Sequence, residues 1–332
     1  MSAERVKRLA LILRELRTRR GDFVSGSKLA NMLGVSRVMI SKEMCSLEEL
    51  GYVLEKRKGT GYRLIGVPDT IEPVEILSIA ESDWLKKHYI YFPEITSTND
   101  YALKLALSGA PEGTVVAADA QTSGRGRLGR HWMSLKSKGL YVSYLLRPYI
   151  PPRNTPQITL VAAITLIFLL RDSYGIRAKL KWPNDVVVEG KKIAGILAET
   201  HVEPQVVRFV VLGMGVNVHH DSKDFEGNFR YQPTSLVMES SCDKPIKRQD
   251  VLVEFTEAFE RNYRSFLERG LFPWREALRE VSILLGKHVT VDTGVEKISG
   301  LAEDLADDGS LVVRAGTGKV YTIQAGDVVM VR

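Results

Sequence analysis

Two stretches of this 332-residue chain concentrate side chains that can hold anions. Residues 121–132 read Gln-Thr-Ser-Gly-Arg-Gly-Arg-Leu-Gly-Arg-His-Trp, so Arg125, Arg127 and Arg130 alternate with Gly124, Gly126 and Gly129. Guanidinium groups take carboxylate and phosphate oxygens in a two-pronged fork, and a glycine-hinged loop carrying three of them can close on an anion. A solvated basic loop has the same composition. The glycines also satisfy the G-x-G-x-x-G spacing of dinucleotide-binding folds. That loop must open a helix whose N-terminus meets a pyrophosphate. Here a Trp and a Lys/Gly-rich stretch follow, with no apolar helical period, so the dinucleotide reading is rejected. The second stretch, residues 181–197, begins Lys-Trp-Pro-Asn-Asp and reads as a hairpin turning at Glu189-Gly190, with Asn184 and Asp185 at its entrance. Lys192 leads out into apolar Ile193-Ala194-Gly195-Ile196. It is either a stem lying along apolar surface or a fixed cation beside a ligand. Asp185 either caps the turn or works in the site. The chain lacks the P-loop, the G-x-S-x-G elbow and H-E-x-x-H. The adjacent His219 and His220 read as a solvated strand end rather than a metal site.

The elements that must position these residues alternate between strand and helix patterns from about Tyr89. Residues 115–118, 140–146, 186–188, 193–198 and 206–218 read as strands, and residues 158–171 and 248–269 as helices. This mixture indicates an α+β or α/β core around a largely mixed sheet. From about Ile283 the pattern changes to short strands at 288–291, 297–303, 310–314, 319–324 and 328–332. Asp308-Gly309 and Gly316-Thr317-Gly318 supply turns, the pattern of a small β-barrel. Gly66 and the two prolines of residues 66–73 mark a boundary.

The first 66 residues are different in charge and kind. They hold 14 Lys+Arg and 7 Asp+Glu, whereas the remaining 266 hold 32 and 33. All the excess positive charge therefore lies in the head, which suits a nucleic-acid partner. An apolar helical face runs through residues 4–20. Ser25 can cap a short second helix ending at Gly34, and Ser36 a third reaching about Leu50. In this helix-turn-helix order the last helix enters the major groove. Arg37, Ser41 and Lys42 fall on its outward face with Cys45, while Ile40, Met44, Leu47 and Leu50 face inward. Arg and Lys donate to guanine, and Ser to several bases. Residues 52–64 then read as two short strands with Lys56, Arg57 and Lys58 at the tip, where phosphate contacts add salt-dependent affinity. One head reads half an operator, so a homodimer on two half-sites is expected.

The longest apolar run, residues 158–170, is too short to span a hydrocarbon core of about 30 Å and reads as a buried helix. The N-terminal residues have no apolar signal core. Cys45 and Cys242, the only cysteines, have no metal-ligand spacing. A reducing cytoplasm is the expected setting.

Together these motifs resemble the biotin–protein ligases, and among them the bifunctional ligase-repressors with a winged-helix head. The resemblance covers nearly the whole chain. It rests on Thr96-Ser97-Thr98-Asn99-Asp100 before a helix, the loop from Gly124 to Arg130, Lys181 to Asp185, Lys192 to Leu197, and Gly213-Met214-Gly215-Val216-Asn217-Val218. It implies a winged helix over 1–66, a linker over 67–82, a class II-synthetase-like biotin- and ATP-binding catalytic domain over 83–281, and an SH3-like β-barrel over 282–332. It implies ATP and Mg²⁺, biotin as substrate, and biotinyl-5′-AMP as intermediate and corepressor. The implied partners are a biotin carboxyl carrier protein or domain and operator DNA, with no membrane. Biotin is assigned to Ser97, Thr98, Asn99, Gln121, Arg125, Gly126, Arg127 and Lys192. The nucleotide is assigned to Arg130, Trp132, Asn184 and Asp185. Lys192, Arg127 and Asp185 take the catalytic roles, and Asp185 is the candidate Mg²⁺ ligand. A lipoate or octanoyl ligase shares the architecture, and the Gly-Arg loop with the 181–185 motif argues against it. A non-enzymatic biotin-sensing repressor is the other alternative, opposed by the presence of Arg125, Arg127, Asp185 and Lys192.

Overall fold

The computed structural model describes residues 1–331 apart from 20, 204, 205, 228 and 230, and only the backbone of Met330. The expected ends of the first helix at Arg20 and of the last strand at Arg332 lie outside the described residues.

The head folds as α1 (Ala3–Thr18), α2 (Gly26–Leu33), α3 (Arg37–Glu49) and the hairpin β1 (Val53–Arg57) and β2 (Gly61–Gly66). Its caps are local chemistry. Ser25 accepts a hydrogen bond from Lys28 N, Ser36 accepts one from Met39 N, and Gly34 ends α2 at φ 64°, where a Cβ would be strained. Leu9, Ile12, Leu13, Leu16, Leu29, Ile40, Met44 and Leu47 form its core.

Residues 67–82 form part of both neighbours. Helix α4 (Pro73–Ile79) places Val74 in the head core, while Ile71, Ile76 and Ala80 join the core of the body. Fully buried Glu75 accepts two hydrogen bonds from Arg17, at 2.6 and 2.7 Å, and one from the Tyr52 hydroxyl at 2.7 Å. On the other side Asp69 is bound by buried Arg248, which also reaches Asp119 at 2.7 Å.

The body is built from α5 (Asp83–His88), β3 (Tyr89–Phe92), α6 (Thr98–Leu107), β4 (Thr114–Ala118), β5 (Gly139–Leu146), α7 (Thr155–Tyr174), β6 (Lys179–Lys181), β7 (Asp185–Val188), β8 (Lys191–Glu203), β9 (Val206–Asn217), α8 (Leu236–Glu239), α9 (Arg248–Arg269) and α10 (Arg275–Val281). Seven strands make one mixed sheet in the order β3-β4-β5-β9-β8-β7-β6, with β3 parallel to β4 and the other pairs antiparallel. Helices α7 and α9 pack together beneath one face. Helix α6 covers part of the other through Ala102 and Ala106 against Val116, Leu145, Phe209 and Val211. The apolar run at 158–170 lies inside α7. That helix is long and apolar enough to cross a bilayer, yet it is mostly buried against the sheet.

The C-terminal strands β10 (His288–Asp292), β11 (Lys297–Leu305), β12 (Leu311–Arg314), β13 (Val320–Ile323) and β14 (Asp327–Val331) form an antiparallel sheet in the order β13-β12-β11-β10-β14. Its apolar residues continue the core of the body, and the Trp182 indole donates to Gly309 O at 3.0 Å. The chain is thus a mixed α+β protein with a helix-turn-helix head, a central mixed sheet and a C-terminal antiparallel sheet.

Candidate active site

The α6 side of the large sheet holds a cavity of about 190 Å³. Around it stand Ser97, Thr98, Asn99, Gln121, Arg125, Gly126, Arg127, Arg130, Trp132, Asn184, Asp185 and Lys192, all twelve residues singled out in the sequence for biotin, nucleotide and catalysis.

Strand alternation explains how distant residues meet. Successive side chains point to opposite faces, and the pairs Asp185↔Gly195, Gly195↔Gly215, Leu197↔Gly213 and Gly213↔Ser143 carry one face across four strands. The glycines leave room. A Cβ on Gly213 would overlap the Asn99 amide, and one on Gly215 would overlap the Trp132 ring. Lys192 would point to the opposite face in a regular strand. A bulge intervenes, because Val186 pairs with Ala194 and Val187 with Lys192, leaving Ile193 extra. That extra residue returns Lys192 to the face of Asp185. Its ammonium lies 2.7 Å from Asp185 Oδ1 and 5.2 Å from the Trp132 ring centre. The hairpin turns at Glu189 (φ 48°) and Gly190 (φ 80°), the positive-φ pair a two-residue turn requires.

One end of the cavity is neutral and hydrogen-bonding. Ser97 caps α6 through Asp100 N, which leaves Thr98 and Asn99 in the first turn. Gln121 Oε1 accepts from Thr98 N at 2.8 Å and from the Thr98 hydroxyl at 3.1 Å, and Gln121 Nε2 donates to Ser134 Oγ at 2.9 Å. The Ser143 hydroxyl lies 2.5 Å from Asn99 Oδ1 and 2.8 Å from Thr98 Oγ1.

The other end is cationic. Gly126 N donates to Arg130 O at 2.7 Å and Trp132 N to Gly124 O at 2.8 Å, so the glycine-arginine loop folds back on itself. It opens no helix beyond the short 3-10 turn Arg127–Gly129, in keeping with rejection of the dinucleotide motif. Arg125 pairs with Asp100 and Glu199, and Arg130 pairs with Asp327 at 2.5 Å. Arg127 donates to Asn184 Oδ1 at 3.1 Å and to Gly326 O at 2.9 Å. Burial holds its pKa below the usual guanidinium value, opposed by Asp327 and Asp185. A part-buried cation whose hydrogen bonds go to neutral oxygens is ready to receive an anion. The hydrogen bond to Asp327 raises the pKa of Arg130.

Several residues at the site escaped the sequence reading. Phe225, Phe229 and Tyr231 supply an aromatic wall, from a segment whose only signal is aromatic residues in a polar stretch. Asp327 comes from β14, 135 positions beyond Lys192, and nothing local to it announces the meeting. Ser143 is concealed in an apolar strand, and Glu199 follows the hairpin motif by two residues. Among the described residues no group of three His, Cys, Asp or Glu could hold a metal ion.

On the head, Arg37, Ser41, Lys42, Lys56, Arg57 and Lys58 are all exposed. Lys56 pairs with Glu48 at 2.6 Å, and Arg57 with Glu55 at 3.3 Å while stacking 4.6 Å over Phe23. The expected inward residues Ile40, Met44 and Leu47 are buried, and Leu50 is half-buried.

Comparison with known proteins gives the class. Residues 91–217 match the Biotin/lipoate A/B protein ligase family, residues 8–63 an HTH domain, and residues 284–331 the Biotin protein ligase C terminal domain. The chain is 35% identical over 303 residues to the bifunctional ligase/repressor BirA of Bacillus subtilis (strain 168), covering 91% of this chain and 93% of that one. It is 32% identical over 249 residues to the biotin--[acetyl-CoA-carboxylase] ligase of Mycobacterium tuberculosis, covering 71% and 86%. Among solved structures, biotin protein ligase from Aquifex aeolicus in complex with biotin and ATP is similar at a TM-score of 0.63 and 28% identity, over 74% of this chain and 99% of that one. The chain belongs to the bifunctional biotin ligase/repressor family.

Proposed function

We propose that the chain joins biotin to a lysine of a biotin carboxyl carrier domain through biotinyl-5′-AMP, and that the same adenylate governs operator binding by the head. The observation that carries this reading is the two-ended cavity. Its neutral end offers Thr98, Asn99, Gln121 and Ser97 to a ureido ring, which needs several hydrogen-bond partners. Its cationic end offers Lys192, Arg125, Arg127 and Arg130 to a carboxylate and a triphosphate.

In the first step a biotin carboxylate oxygen attacks the α-phosphorus of ATP. The bond to pyrophosphate breaks and biotinyl-5′-AMP remains. The two reactants are anions, and Lys192 with the loop arginines offsets their repulsion most strongly as charge develops in the transition state. Trp132 and Asn184 line the nucleotide side. Asp185 alone cannot cage a metal, yet one carboxylate suits Mg²⁺ that arrives on phosphate oxygens and keeps its waters. In the second step the carrier lysine, with a reference pKa of about 10.4, gives up a proton and attacks the acyl carbon. AMP leaves with the electron pair of the broken C–O bond. Asp185 is our candidate for taking that proton.

The domain assignments that accompany this reading are a winged helix over 1–66, a connecting segment over 67–82, a class II-synthetase-like domain over 83–281 and an SH3-like barrel over 282–332. A homodimer in the cytoplasm, with Arg37, Ser41 and Lys42 on bases and Lys56, Arg57 and Lys58 on phosphates, completes it. Ordering of the glycine-arginine loop over the adenylate is the proposed link to dimerisation. A dimerisation constant unchanged by biotinyl-5′-AMP in sedimentation would remove that link.

Purified protein given α-labelled ATP, Mg²⁺ and biotin is expected to retain labelled biotinyl-5′-AMP, and to form no adduct with lipoate. Equal use of lipoate would favour the lipoate or octanoyl ligase. Binding of biotin without pyrophosphate release would favour a sensor without catalysis. The match at 284–331 to the Biotin protein ligase C terminal domain supports the biotin reading over the lipoate one.

A further inference from the structure

Glu199 stands on β8 two residues beyond Leu197, and strand alternation puts it on the same face as Leu197, paired with Val211. It touches both ends of the site. Its Oε2 accepts from Asn99 Nδ2 at 2.7 Å, and its two oxygens lie 3.1 and 3.2 Å from the Arg125 guanidinium. A carboxylate only accepts hydrogen bonds. The Asn99 amide, seated over Gly213, must therefore turn its NH₂ toward Glu199 and its oxygen toward Ser143, whose hydroxyl lies 2.5 Å away. The Ser143 hydroxyl then donates to Asn99 Oδ1, with Thr98 Oγ1 2.8 Å away, while the Thr98 hydroxyl donates to Gln121 Oε1. One carboxylate thereby sets the orientation of the Asn99 amide and, through it, the proton of Ser143, and it also pairs with Arg125 of the loop.

We propose that Glu199 is a positioning residue for biotin: it orients the Asn99–Ser143 pair that receives the ureido ring. This deepens the reading above and rests on it. Glu199 acts through Asn99, so its removal affects capture of biotin and leaves the acyl-transfer step alone.

The test uses full-length Glu199→Gln, which keeps shape and removes the charge, together with Asn99→Ala and the double variant. Glu199→Gln is expected to raise the KM for biotin about tenfold or more. The KM for ATP, and the rate of transfer from supplied biotinyl-5′-AMP to carrier, stay within about twofold. In the Asn99→Ala background the same substitution adds little, because coupled residues are not additive. A biotin KM within twofold of the parent, or a full additive effect without Asn99, overturns the proposal while leaving the ligase reading intact. Failure of the parent protein to make adenylate from biotin and ATP overturns both.

Discussion

Lys192 and Asp185 sit 2.7 Å apart, and each is partly shielded from water. Removing the cation takes away the charge that faces both reacting anions. Lys192→Ala is therefore expected to slow adenylate formation by about 10²–10³-fold, in the range seen for loss of one transition-state donor. Single-turnover pyrophosphate release reads this directly, and a loss below threefold would exclude Lys192 from the chemistry. A second residue responds to acid. His220, expected from the sequence at a solvated strand end, is instead fully buried against Phe225, and neither ring nitrogen has a partner among the described residues. Burial presses its pKa down from 6.5 to about 4. Between those values the unfolded chain takes up a proton that the folded chain refuses, so this contribution is complete above pH 6.5 and fades toward pH 4. Urea unfolding at pH 7 and pH 4.5 should show His220→Phe losing about 2–3 kcal/mol less than the parent on acidification. Equal losses would show that His220 is not the group responsible.

At the scale of elements, the glycines of β8 and β9 are what allow a loop and a helix to approach the sheet. Gly215→Ala places a methyl group inside the Trp132 ring. The glycine-arginine loop must then lift, and we expect the KM for ATP to rise at least tenfold with the far-ultraviolet circular dichroism unchanged. An unaltered KM would mean that the seat of Trp132 is irrelevant to the nucleotide. These elements were unequally legible in the sequence. The amphipathic helices of the head, their serine caps and the 181–197 hairpin follow from local periodicity and turn chemistry, and the structure bears them out. So do the strands of the C-terminal sheet, within a residue or two at most ends. Helices α4, α5 and α10 were not read, being only six or seven residues long, too short for a periodicity to register. The bulge at Ile193 was equally hidden, because register is decided by a partner strand and not by the residue itself. Asp327 and Ser143 share that limitation. The motif residues at the cavity were legible only through the resemblance that several motifs carry together, because each alone reads equally as a solvated loop, a stem along apolar surface or a turn cap.

At the scale of the molecule, head and body share one helix. Glu75 is wholly buried and accepts hydrogen bonds from Arg17 Nη2 and the Tyr52 hydroxyl together. Removing one member of a buried charge pair commonly costs about 3–5 kcal/mol. Glu75→Ala is accordingly expected to lower the midpoint of the whole chain in calorimetry, and the parent to melt in one transition. Two resolved transitions in the parent would show that the head unfolds independently. The double allegiance of helix α4 also sets the rule for building chimaeras. A head transplanted from a relative by joining the chains at residue 66 would arrive without its counterpart for Val74 and Glu75. A working graft needs a helix of mixed parentage, with Val74 and Glu75 taken from the donor and Ile71, Ile76 and Ala80 kept from the host.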